Sequence, residues 1–92
     1  MTVEELRKEV GIIDTRILTI VHEGKEIEET YWLGKTIDGD EYYIGFTKGG
    51  YDYCNYISEE EMLHYLNNKN ASEKEAMGIY LRYPKLSGWL FR

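Results

Sequence analysis

Two pairs of residues in this chain have the types and spacing for chemistry. Glu61-Met62-Leu63-His64 places a carboxylate and an imidazole one helical turn apart, the spacing that lets two side chains reach one metal ion. A di-iron centre needs that pattern twice, with further carboxylates, and here it occurs once. Glu60 and His64, at i and i+4, read more simply as a surface pair. His22 stands beside a turn with no second His or Cys near it in sequence. Cys54 could act as a nucleophile with His64 as its base. It falls mid-strand, however, where no helix N-terminus or basic neighbour lowers a thiol's pKa. Glu26, Glu28 and Glu29 have the spacing of a solvated strand edge rather than a tuned acid–base pair. Lys48-Gly49-Gly50 lacks the G-x-x-x-x-G-K-[ST] pattern of a phosphate-gripping loop, and no helix begins there to add its dipole. No enzyme, no metal and no cofactor is expected from these residues.

The tyrosines and the acids stand out instead. Nine tyrosines accompany only two phenylalanines and two tryptophans, and most lie between Tyr31 and Tyr65. A tyrosine ring is apolar with a polar tip, so it can sit half-exposed and serve as a contact surface. Acids outnumber Lys and Arg 17 to 11, and the excess is uneven. Residues 1–61 hold 15 acids and 6 bases, whereas residues 62–92 hold 2 acids and 5 bases. A body of this charge repels a phosphate backbone and attracts basic surfaces.

A chain of 92 residues accommodates one domain, 1–92. Its apolar fraction of 42% suffices for a core, and no apolar run approaches the ~18 residues that span a bilayer. Met1-Thr2-Val3-Glu4-Glu5 lacks the basic and apolar profile of a signal peptide. A lone cysteine, Cys54, leaves no internal disulfide. The expectation is a cytoplasmic protein, complete from its initiating Met1, with no membrane association.

The elements that must position these side chains follow from turn and cap signals. Thr2 and Glu5 form a T-x-x-E capping box for a short helix, with Val3, Leu6 and Val10 on one face and Gly11 as its stop. Ile12 to Val21 is largely β-branched and reads as a strand, broken at Gly24 and followed by a second strand from about Glu26 to Lys35. Asp38-Gly39 suits a type I′ turn, so Glu41–Thr47 returns as a third strand. Gly49-Gly50 turns again into a fourth, Tyr51–Ile57. Ser58 and Glu61 cap a second helix, with Ile57 and Met62 at the staple positions. Ser72 and Glu75 read as the box of a third helix that ends before Pro84. The fold class is α+β: a four-stranded antiparallel meander with an N-terminal helix and two C-terminal helices, in the order α-β-β-β-β-α-α.

Because side chains alternate along a strand, the turns fix the faces. A two-residue turn at Asp38-Gly39 pairs Leu33 with Ile44, Tyr31 with Phe46, Trp32 with Gly45 and Gly34 with Tyr43. A turn at Gly49-Gly50 pairs Phe46 with Tyr53, Tyr43 with Tyr56, Gly45 with Cys54 and Thr47 with Asp52. Both turns put Phe46 on one face, with Tyr31, Leu33, Ile44, Tyr53 and Ile57 under the helices. The other face carries Trp32, Tyr43, Cys54 and Tyr56, with Thr30, Thr47, Asp52 and Glu28 around them. A large ring laid over a cross-strand glycine covers exposed backbone, and both Trp32–Gly45 and Gly34–Tyr43 are such pairs. The first strand is apolar on both faces. The C-terminal Trp89 and Phe91 are apolar enough to fold over this second face.

An aromatic face with an acidic fringe has the makings of an interaction surface, and its expected partner-binding residues are Glu28, Trp32, Asp40, Glu41, Tyr43, Asp52 and Tyr56. In size, charge and element order the chain resembles small phage-encoded inhibitors of host defence, including anti-CRISPR proteins that act as DNA mimics. That resemblance implies a basic protein partner, a nuclease or CRISPR effector blocked at its nucleic-acid channel, with no direct nucleic-acid contact by this chain. It rests on no shared motif, so no residue is carried over from it. Tyr42-Tyr43-Ile44-Gly45-Phe46 also resembles the aromatic strand of an RNA-recognition fold, but that fold orders its elements differently and has a basic surface. The alternative is a small-ligand module, in one form a homo-oligomer, sequestering a nucleotide signal between subunits, tyrosines stacking the base and Lys48, Arg82 and Lys85 meeting the phosphates.

Overall fold

The computed structural model describes residues 1–38, 41–48 and 50–82; of His22 and Lys48 it describes the backbone only. The elements run α1 (Val3–Arg7), β1 (Gly11–His22), β2 (Lys25–Lys35), β3 (Tyr42–Lys48), β4 (Tyr51–Ile57), α2 (Glu59–Asn67) and α3 (Lys69–Arg82). The strands form one antiparallel sheet in the order β1-β2-β3-β4. Among the described residues no helix is long and apolar enough to cross a membrane.

The capping box of α1 is formed: Glu5 N donates to Thr2 Oγ1 at 3.2 Å, and Thr2 N donates to Glu5 Oε1 at 2.9 Å. Its other end differs from the expectation. The helix stops at Arg7, with Lys8 as its C-cap, and Val10 is 60% exposed rather than sharing Leu6's buried face. Gly11 is therefore not the helix stop. It opens β1 at φ +73°, a left-handed conformation that a Cβ disfavours.

β1 and β2 make a long hairpin. Glu23 and Gly24 both have positive φ, 51° and 77°, as a type I′ turn requires. The registers of the remaining strands follow the turn arithmetic. Trp32 faces Gly45, Leu33 faces Ile44 and Gly34 faces Tyr43; on β4, Tyr53 faces Phe46, Cys54 faces Gly45 and Tyr56 faces Tyr43. Tyr31 and Phe46, expected as the next rung, are outside the ladder, which ends at Trp32 and Gly45. Their rings meet instead across the core at 6.1 Å between centroids. Gly39 and Gly49 lie outside the described residues; around them, Thr36 N donates to Glu41 O at 2.9 Å, Lys48 faces Tyr51, and Gly50 has φ +82°.

Ser58 caps α2 as its box predicts: Glu61 N donates to Ser58 Oγ at 3.1 Å and Ser58 N to Glu61 Oε1 at 2.9 Å. The box expected at Ser72 is not formed. α3 begins four residues earlier, after Asn68, whose Oδ1 accepts from Ala71 N at 3.1 Å. Ser72 is fully buried inside the helix and donates its hydroxyl proton to Lys69 O at 2.8 Å. That leaves its lone pairs for Tyr31 OH and Arg16 NH1, each at 2.8 Å, so the tyrosine is the donor. The same guanidinium donates to Tyr65 O and Leu66 O, two carbonyls in the last turn of α2, at 2.7 and 3.0 Å, and to Asp14 Oδ2 at 2.7 Å. A strand residue thus supplies the C-terminal cap of a helix some fifty residues away.

Helices α2 and α3 press on one face of the sheet. Leu18, Ile20, Tyr31, Leu33, Tyr42, Ile44 and Phe46 from the strands meet Leu6, Met62, Ala76, Ile79 and Tyr80 from the helices, with Tyr53 and Ile57 partly buried beside them. β1 thereby chooses its face, Leu18 and Ile20 inward, Ile17 and Val21 outward at 48% and 70% exposure.

Candidate functional site

Among the described residues no helix covers the outward face, and its middle is laid out by register. One row across β2, β3 and β4 reads Gly34, Tyr43, Tyr56; the next reads Trp32, Gly45, Cys54; beyond them Thr47 faces Asp52. Rows two residues apart lie roughly 6.7 Å from each other, and neighbouring strands about 4.8 Å. Gly45 is the centre of this lattice, and it has no side chain. A Cβ built there would run into the carbonyl oxygen of Tyr53 and into Cys54, so β3 and β4 approach too closely for any other residue.

At Gly34 the missing side chain is replaced by a neighbour's. A Cβ there would overlap the Tyr43 ring, which lies over the glycine as the rung predicts. At Gly45 the atoms nearest a Cβ belong to β4. The space above Gly45 is part of a concavity of about 800 Å³, lined by Trp32, Tyr43, Asp52, Cys54 and Tyr56, with Ile12 from β1, Lys35 at the end of β2, and Ile37 and Asp38 from the loop after it.

Four of the seven expected partner-binding residues, Trp32, Tyr43, Asp52 and Tyr56, therefore border one hollow. Glu28 shares their face but lies four residues along β2 from Trp32, roughly 13 Å away. Glu41 is exposed and stands before β3, where its backbone closes the loop to Thr36. Asp40 lies outside the described residues, as do Trp89 and Phe91, so the expected folding of the C-terminal segment over this face does too.

The electrostatics of the face have one sign. Glu26, Glu28 and Asp52 occupy outward strand positions, and no described Lys or Arg does. Arg16, Lys25 and Lys35 point to the helix side by register, Arg7 and Lys8 belong to α1 and its cap, and Lys69, Lys74 and Arg82 ride on α3. Thr47 Oγ1 donates to Asp52 Oδ1 at 2.5 Å and orients that carboxylate. Burial raises the Tyr43 pKa, and Asp52 adds to the effect, so the phenol stays neutral. Burial, again reinforced by Asp52, pushes the Cys54 thiol up against an opposing hydrogen bond with Tyr56. A protonated thiol is a poor nucleophile.

The other chemical candidates are held apart. Glu61 is occupied by the Ser58 box, and the hydrogen bonds from Ser58 hold its carboxyl below the usual range. His64 stands on α2, on the side of the sheet opposite Cys54. Among the described residues no three His, Cys, Asp or Glu side chains gather to hold a metal ion. Arg82, expected to meet a nucleotide's phosphates, donates to Asn55 Oδ1 at 2.7 Å, at a helix-side position of β4. Lys85 lies outside the described residues.

Sequence reasoning named the rings but not the hollow. Its signal was present: two turn registers put Trp32, Tyr43, Cys54 and Tyr56 around one glycine. Ile12 carried no signal, because a strand apolar on both faces does not reveal its orientation. No protein family, no curated protein and no solved structure matches this chain.

Proposed function

We propose that this chain is a small acidic interaction protein that docks the open face of its sheet onto a basic, nucleic-acid-binding protein and blocks it by occupancy. One observation carries the reading: Trp32, Tyr43, Tyr56 and Asp52 surround a single hollow on a face whose described charges are all acidic. On a protein that normally grips nucleic acid, carboxylates at strand spacing stand where phosphates would, and aromatic rings stand where bases stack. No bond is made or broken; the effect is competition. A DNA-mimic inhibitor of the phage or mobile-element kind, directed at a nuclease or CRISPR effector, is the fullest form of this proposal.

The test is capture from the source cell, followed by competition. Wild-type bait should retain a basic partner, free DNA should displace it, and rising salt should slow association as steering is screened over ~8 Å at physiological strength. Charge reversal at Glu28, Asp40, Glu41 and Asp52 together should abolish capture. A partner retained by that variant overturns the reading, and so does tight binding of a free nucleotide through Arg82 and Lys85.

A further inference from the structure

We propose that the hollow over Gly45 is a receptor for one arginine side chain of the partner, a proposal that rests on the docking reading above and names what enters the site. Three aromatic rings, Trp32, Tyr43 and Tyr56, and two acidic residues, Asp38 and Asp52, border a gap at which the sheet itself has no side chain. A guanidinium is flat, permanently charged, weakly hydrated for a cation and able to stack on a ring while donating in its own plane. The lattice offers both contacts. Trp32 sits on the strand beside Gly45, and Tyr43 lies one row away on the same strand. Tyr56 and Asp52 occupy the two β4 corners, on either side of Cys54.

Asp52 suits the role of counter-charge. It is exposed, and Thr47 steadies it through one oxygen. A carboxylate has lone pairs beyond the one that Thr47 uses, enough for a guanidinium N–H. Lys35 borders the hollow, but its ammonium is turned to the helix side, where it donates to Arg7 O at 3.2 Å, so no described cation is set to compete for the rings or for Asp52. The neutral Tyr43 phenol completes the wall without adding a charge that would have to be desolvated.

Lysine would fit less well. Its ammonium is a compact, strongly hydrated point charge that gains less from lying against a flat ring. A neutral planar ligand such as a nucleobase would use the rings and leave Asp52 unmatched. The hollow is therefore tuned for a cation that is also a plane.

The experiment uses the full chain and two short capped peptides of equal charge, one carrying arginine and the other lysine at its centre. Binding is followed by calorimetry and by amide and indole NMR, with Trp32→Phe assigning the Trp32 indole signal. The arginine peptide should bind roughly ten-fold tighter than the lysine peptide. It should move the Trp32 indole and the Gly45 amide while leaving α2 and α3 in place. Asp52→Asn and Tyr56→Ala, both at exposed positions, should each remove most of that preference. Equal binding of the two peptides, abolished by charge reversal at Glu28 and Asp52, overturns the arginine receptor while leaving the docking face standing. Binding of neither peptide by a folded protein overturns the receptor as well, and partner capture then decides the docking reading on its own.

Discussion

Tyr42 and Tyr43 are neighbours in sequence and opposites in fate. Tyr42 is 4% exposed under the helices, its hydroxyl 3.3 Å from Glu59 Oε2 and its ring 5.5 Å from the Lys35 ammonium. Tyr43 lies on the open face across Gly34, with Tyr56, 62% exposed, as its partner on β4. The two faces use the same residue type for different ends. On the covered face each ring is locked by neighbours: Tyr31 by Ser72, Phe46 by Tyr31 and by Tyr80 at 5.9 Å. On the open face the rings surround a gap instead of filling one. Removing a ring from the first face should thus cost stability, and removing one from the second should cost contact with a partner.

The largest effect expected from that contrast is Phe46→Ala. Phe46 is 3% exposed at the junction of β3 and α3, and truncating such a ring typically costs about 3–5 kcal/mol through lost burial and the cavity left behind. Urea or guanidinium midpoints measure it. A cost as small as that of Tyr56→Ala would erase the distinction between the faces.

Next comes an alkaline limb. Burial, with Glu29 adding, pushes the Tyr80 phenol from an ordinary value of 10.0 to about 12. A folded-state pKa raised above the unfolded value gives stability that is whole below the unfolded value and lost as pH climbs to the folded one. Stability should therefore fall between pH 10 and about 12, by about 2–3 kcal/mol for this group. Tyr80→Phe should flatten that fall, as read by denaturant midpoints across the range. A wild-type slope in the variant would show that other groups carry the alkaline transition.

Ser72→Ala should cost about 1–3 kcal/mol, because it strips an acceptor from both Arg16 and Tyr31 in a buried setting. Ser58→Ala should cost about 1 kcal/mol, the usual worth of an N-cap. The second loss has a pH signature. Glu61's carboxyl is held low by the Ser58 hydrogen bonds, so the box stabilises above the ordinary value of 4.5 and fades as pH falls through the lowered one. The gap between Ser58→Ala and wild type should accordingly narrow in acid. A gap that stays constant would mean that Glu61 does not share in the box.

How much of this was legible beforehand differs by the range of the interaction. The rungs around Asp38-Gly39 and Gly49-Gly50 were readable because a strand has period two, so one turn position fixes each partner for as far as the ladder runs, which between β2 and β3 is to Trp32 and Gly45 and not to Tyr31 and Phe46. The boxes at Thr2 and Ser58 were readable because cap and partner lie three residues apart. Ser72-x-x-Glu75 shows the weakness of that signal. The same spacing recurs inside a helix, and Asn68, four residues earlier, took the cap. What drew Ser72 inward was Arg16 and Tyr31, at 56 and 41 residues' remove, and no local pattern announces such a meeting. The hollow over Gly45 was half legible. Its rings were in register, but its emptiness depends on how closely β4 approaches β3, a distance that no residue type encodes.

The smallest stability effect is expected where the largest functional one is. Tyr56→Ala, Glu28→Lys and Asp52→Asn each alter an exposed open-face position, and each should shift stability by no more than about 0.5 kcal/mol. Asp52→Asn keeps an oxygen for the Thr47 hydroxyl, so even that contact has a substitute. Their binding signatures should differ in kind. Glu28→Lys reverses a charge on the acidic fringe, so it should lower the association rate and weaken its salt dependence, as loss of steering does. Tyr56→Ala removes ring surface, so it should raise the dissociation rate with salt dependence unchanged. Association and dissociation rates against the captured partner, measured at two ionic strengths, separate the two. If Tyr56→Ala proved as destabilising as Phe46→Ala, the open face would be core in disguise, covered by something that holds the fold together. If it left both stability and dissociation untouched, the rings would be solvated ornament and the acids alone would make the surface.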